Sequence, residues 1–86
     1  MHELSLALEV CRIAEAHLGG TDARRLRRVG IEVGQEANIE VGNFEFCLEA
    51  LLGAPPFAGA APAITRCPGV DLRLAFMEVD DGGPDD

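Results

Sequence analysis

An 86-residue chain that is 48% hydrophobic and carries a formal net charge of −8 has material for one small domain, near the size at which a single core is only marginally sufficient. The acidic balance disfavours nucleic acid, whose phosphates need a basic surface, and charges or glycines interrupt every apolar run too soon for a membrane span. Glu3 and Glu9 stand where a secretory leader would have a basic start and an unbroken apolar stretch, so a cytoplasmic location is expected.

In chain order, residues 3–18 read as a helix, with Leu4, Leu8, Cys11 and Leu18 in one stripe and Leu6, Val10 and Ile13 beside it. Gly19 and Gly20 stop it. Residues 26–34 alternate, with Val29, Ile31 and Val33 on one face and Arg28, Gly30 and Glu32 on the other, the pattern of a half-buried strand. Phe44, Cys47, Leu48, Leu51 and Leu52 recur at helical spacing from Val41 to Leu52, and Gly53-Ala54-Pro55-Pro56 closes that segment.

The rest is expected to form a hairpin, one strand near 60–66 and the other over 70–79, joined by Cys67-Pro68-Gly69 as a type II turn. Pro62 places the first of these strands at an edge or delays its start. In the second strand Val70, Leu72, Leu74 and Phe76 share one face. The order helix-strand-helix-strand-strand gives an α+β fold with two helices on one face of a three-stranded mixed sheet. The opposite face, with Arg28, Glu32, Arg73, Ala75 and Met77, stays open to solvent or a partner, which leaves room for a homodimer. One domain over 1–79 is expected, followed by an acidic, disordered tail over 80–86 whose four aspartates leave a balance of about −4 when set aside.

The chemistry-bearing feature is the start, Met1-His2-Glu3. The α-amine of Met1, the backbone nitrogen of His2 and the His2 imidazole can close a five-membered and then a six-membered ring around one metal. A planar, nitrogen-rich set of this kind suits Ni(II) or Cu(II), whereas Zn(II) prefers a tetrahedral set and Mg(II) or Ca(II) prefer oxygens. Three of four equatorial positions are filled by these two residues, so Glu3 or a partner supplies the fourth. A bulky second residue also hinders enzymatic removal of Met1.

Other candidates have plainer readings. Cys11, Cys47 and Cys67 are odd in number and contain no C-x-x-C pair, against both a disulfide framework and a zinc site. His17 lies roughly 22 Å along the first helix from His2, too far to join it, and is suited to interact with the helix C-terminus. Arg24, Arg25, Arg27 and Arg28 form a basic cluster, read as a solvated strand start or as a docking edge for an acidic partner surface. No glycine-rich phosphate loop and no familiar nucleophile–histidine motif occurs, so the chain is not expected to be an enzyme.

Met1-His2-Glu3-Leu4-Ser5-Leu6, Val29-Gly30-Ile31-Glu32-Val33-Gly34, Phe46-Cys47-Leu48-Glu49 and Gly59-Ala60 together resemble the HypA/HybF family of hydrogenase nickel-incorporation proteins. Asp71-Leu72-Arg73-Leu74 and Met77-Glu78-Val79 resemble that family's C-terminal strand. The resemblance implies a nickel metallochaperone that helps load the large, catalytic subunit of a [NiFe] hydrogenase alongside a maturation GTPase. It implies His2 as principal nickel ligand, with the Met1 amine and the His2 and Glu3 backbone as neighbouring nitrogens. The family normally inserts a zinc-binding domain with two C-x-x-C pairs between its last two strands, where this chain has Cys67-Pro68-Gly69. One cysteine cannot build a Cys₄ site, so zinc is not expected there. A metal-free adaptor for hydrogenase maturation is the alternative reading.

Overall fold

A computed structural model describes residues 2–80. Its elements are helix α1 (Glu3–Ala23), strand β1 (Leu26–Gly34), helix α2 (Val41–Leu52), strand β2 (Ala61–Cys67) and strand β3 (Leu72–Val79). The α+β architecture and mixed three-stranded sheet agree with the pattern in the sequence. Gly19 breaks α1 where expected, with φ 74° and ψ 174°, and a further turn carries the chain to the buried Ala23.

The apolar faces meet in one core. Helix α2 contributes Phe44, Leu48 and Leu52, and the central strand contributes Val29, Ile31 and Val33, none more than 1% exposed. Each such side chain supplies about 1.5–3 kcal/mol of favourable burial. Helix α1 faces the core with Ala7, Val10, Cys11 and Ala14, while Leu4 and Leu8 remain about half exposed. The large leucines suggest a stripe that the structure rotates away, because small side chains let α1 approach its neighbours closely. The two helices pack side by side.

The sheet order corrects one expectation. Strands β2 and β3 do not form a hairpin: the order is β2-β1-β3, with β1 parallel to β2 and antiparallel to β3. Residues 68–71 arch over the end of β1. Gly34 N donates to Asp71 O at 2.7 Å, Gln35 N to Cys67 O at 2.7 Å and Glu36 N to Gly69 O at 2.9 Å. The Pro68-Gly69 bend is present, with Gly69 at φ 103°, but it serves a crossing and not a hairpin closure. Pro62 sits on the edge strand β2, where a missing donor is harmless.

A second correction concerns β3. The pairing runs Ile31↔Leu74 and then Gly30↔Phe76, so Ala75 is an extra residue in the ladder. Such a bulge reverses the facing of the residues beyond it. Met77, expected on the open face, packs against the core, and Phe76 takes the open side, 41% exposed. Its ring lies over Gly30, where an added Cβ would stand 2.1 Å from it, and the Arg28 guanidinium sits 5.6 Å from the ring centroid.

Candidate metal centre

Helix α1 begins directly after His2. That residue is the N-cap, with φ −91° and ψ 105°, its carbonyl accepts from Leu6 N at 3.2 Å, and its side chain is exposed. The first amides of a helix have no partner within its ladder, so the His2 and Glu3 nitrogens are not consumed by α1. The backbone at His2 therefore leaves amide and imidazole together at the protein surface. Met1, the remaining member of the expected chelate, lies outside the described residues.

Glu3 is placed differently from His2. Its carboxylate reaches α2: Oε2 accepts from Glu40 N at 3.1 Å and Oε1 from Asn43 Nδ2 at 3.4 Å. The Glu40 amide bond is the main reason the Glu3 carboxyl sits below its ordinary value of 4.5. A carboxylate near the first turns of two helices is also favoured by their partial positive ends. Glu3 thus ties the start of α1 to the start of α2, and its side chain is committed before any ion arrives.

The sequence reading missed Glu40. Glu40 is the N-cap of α2, where Oε1 accepts from Asn43 N at 2.8 Å. Glutamate is not among the favoured cap residues, so only its position three residues before Asn43 hints at the role. Together Glu3, Gln35, Asn38, Ile39 and Glu40 line a shallow depression of about 430 Å³. Asn38 turns the chain there with φ 59°, a conformation that asparagine tolerates better than most residues. Two carboxylates separated by 37 positions in sequence line this one depression.

The other expected residues are dispersed. His17 is exposed on α1, and its Nδ1 donates to Ile13 O at 3.1 Å, one turn back along the helix. Cys11 is buried, and its thiol is pushed up to about 11 by burial and the nearby Glu15 charge. Cys47 packs on the core from α2, and Cys67 ends β2 on the open face. Among the described residues no group of three or more His, Cys, Asp or Glu side chains could hold an ion. A structural zinc site does not fit these cysteines.

The arginine cluster sits where α1 passes into β1, and much of its charge is matched inside the chain. Arg25 approaches Asp22 at 3.4 Å and donates from Nε to Asp80 O at 2.8 Å, Arg27 pairs with Asp80 at 3.1 Å, and Arg28 with Glu78 at 3.3 Å. Arg24 is exposed at the C-cap of α1. Asp80, grouped with the tail by its charge, is held against β1: its amide donates to Arg25 O at 2.8 Å. Residues 81–86 of that tail lie outside the described residues.

The family model described as "Hydrogenase/urease nickel incorporation, metallochaperone, hypA" matches residues 1–71. The chain belongs to the HypA family. Two relatives named hydrogenase maturation factor HypA illustrate the similarity. The one from Azoarcus sp. (strain BH72) is 39% identical over 69 residues, covering 80% of this chain and 60% of the relative. The one from Dechloromonas aromatica (strain RCB) is 35% identical over 78 residues, covering 91% and 69%. The chain thus spans about 60% of the length of several HypA relatives that it matches. The solution structure of the Ni metallochaperone HypA from Helicobacter pylori superposes with a TM-score of 0.74 at 17% identity, over 92% of this chain and 97% of that one. At that identity the likeness concerns the HypA fold.

Proposed function

We propose that this chain is a nickel metallochaperone of hydrogenase maturation, taking Ni(II) at its N-terminus and passing it to a maturation partner. The Met1 amine, the deprotonated His2 amide and His2 Nδ1 form the two fused chelate rings. A donor from the receiving protein occupies the fourth position, trans to the His2 amide. The observation that carries this reading is His2 at the N-cap, with an extended backbone and exposed ring, in a chain of the HypA family. A helix N-terminus opposes a cation, and the Glu3 carboxylate in the first turn of α1 offsets that field. The partners on this reading are a maturation GTPase and the large subunit of a [NiFe] hydrogenase.

Ni(II) titration calorimetry tests the chelate directly, using untagged protein with an authentic Met1 beside His2→Ala and a version extended at the N-terminus. Binding by the first protein and its loss in both others is expected. Affinity should also fall as pH is lowered, because all three nitrogens must be free of the displaced protons. Equal binding in the three proteins, or a flat profile between about pH 6 and 8.5, would remove the chelate.

A second reading is a metal-free assembly subunit, which the short β2–β3 connection over 68–71 favours. Under it, hydrogenase-maturation proteins would co-purify equally with wild type and His2→Ala, with no nickel in either preparation.

A further inference from the structure

The sheet face turned away from the helices takes no part in the chelate, yet its side chains are ordered by pairing across β1 and β3. Arg28 stands opposite Glu78 at 3.3 Å, Gly30 opposite Phe76, and Glu32 opposite Arg73 in an ion pair. Strand β2 extends the face with small side chains, Ala63 beside Gly30 and Thr65 beside Glu32. Viewed from outside, one row reads base on β1 and acid on β3, and the next reads acid on β1 and base on β3. Between the rows lies the Phe76 ring, 41% exposed over Gly30.

This arrangement is complementary to itself. A two-fold rotation about an axis in the plane of the face, parallel to the strands and between β1 and β3, exchanges the two columns and keeps the rows. It sets Arg28 against Glu78 of a second copy and Glu32 against Arg73 of that copy. The two Phe76 rings, each leaning from β3 towards β1, meet near the axis. Opposite charges are thereby matched in both rows, as an isologous contact requires, and the strands of the two sheets run aligned as in a sandwich. The four paired charges also cancel on each face.

We propose that the open sheet face is a self-association surface on which a second copy of this chain packs, sheet against sheet. The two overlapping strands, β1 and β3, at their usual spacing present a footprint of about 200 Å², against about 800 Å² per partner in a standard stable interface. The dimer is therefore weak and exchanging. Charge pairing fixes its geometry more than its strength.

Sedimentation velocity from about 10 μM to about 1 mM, at low salt, reads the association. Wild type should shift from monomer towards dimer across this range and shift less as salt is raised. R28E/R73E, with an all-acid face, and E32R/E78R, with an all-basic one, should each stay monomeric. Their equimolar mixture should associate at least about tenfold more tightly than wild type. All four side chains are exposed enough for the variants to fold, which circular dichroism checks, and Phe76→Ser provides an uncharged variant that should weaken the dimer. Monomeric wild type at the highest concentration would overturn the proposal. So would a dimer retained by both charge variants, or a mixture that does not associate.

Discussion

Replacing Gly34 by alanine should be among the most damaging single-methyl changes available in this fold. A Cβ there would stand 2.3 Å from the Gly69 carbonyl oxygen, 2.7 Å from its carbon and 2.9 Å from Asp71 N. All three are backbone atoms of the arch that carries the chain from β2 over the end of β1 to β3, so no flexible side chain can move aside. Overpacking of this kind costs about 1–3 kcal/mol. Displacing the arch also weakens its bonds from Gly34, Gln35 and Glu36, each worth about 1 kcal/mol. A loss of about 3 kcal/mol is expected, a large share of the roughly 5–15 kcal/mol that holds typical domains folded. Urea unfolding should show it as a lower midpoint with an unchanged slope, and the melting temperature should fall by about 12–24 °C. Gly53→Ala is the control, because the nearest atom to its added Cβ is 3.4 Å away and its φ is −83°; it should stay within about 0.5 kcal/mol of wild type. A Gly34→Ala protein less than about 1 kcal/mol weaker than wild type would refute the tight crossing.

In the metal-free protein, acid titration followed by NMR should move the Glu40 amide and the Asn43 side-chain amide together, with a midpoint below the ordinary carboxyl value of 4.5. Because the folded Glu3 carboxyl is lowered, its tie between the helices is complete above the unfolded value and is lost as pH falls through the folded one; a midpoint at or above 4.5 would count against the Glu3–Glu40 link. Thiol labelling at mildly alkaline pH should modify Cys47 and Cys67 first and Cys11 last, since the Cys11 thiol is buried and pushed up to about 11. Reaction of all three in one phase would contradict that placement.

The periodicities locate the elements well. The limits of β1 and α2 follow from the alternation through Val29, Ile31 and Val33 and the helical spacing of Phe44, Leu48 and Leu52. Connectivity within the sheet does not. Cys67-Pro68-Gly69 has the composition of a tight turn whether the chain folds back beside itself or crosses over a third strand. What separates these outcomes is Gly34, distant in sequence, whose missing side chain makes room for the arch. The bulge at Ala75 is equally local, and it reverses the roles that strict alternation assigns to Phe76 and Met77. At the candidate site, the proposed terminal chelate can be read from the sequence because it needs only neighbouring residues. Glu40 cannot, because its nearness to Glu3 depends on how α1 and α2 meet.

The central position of β1 has a consequence for how the protein is made. Leu26 pairs with Val79 and Val29 with Pro62, so the strand synthesised first waits for both of its neighbours, and the last of them arrives near the end of the chain. Long-range pairing of this kind slows folding relative to helical domains. A ribosome releasing this chain has already exposed the Met1-His2 terminus to solvent while β1 is still unpaired. The nitrogen donors of the proposed chelate are consecutive in sequence and exist at that stage, whereas the Glu3 tie to Glu40 and Asn43 forms only with the helix pair. Nickel supplied during synthesis would meet a terminus with a free Glu3 carboxylate, and nickel supplied afterwards would meet one whose carboxylate is already engaged.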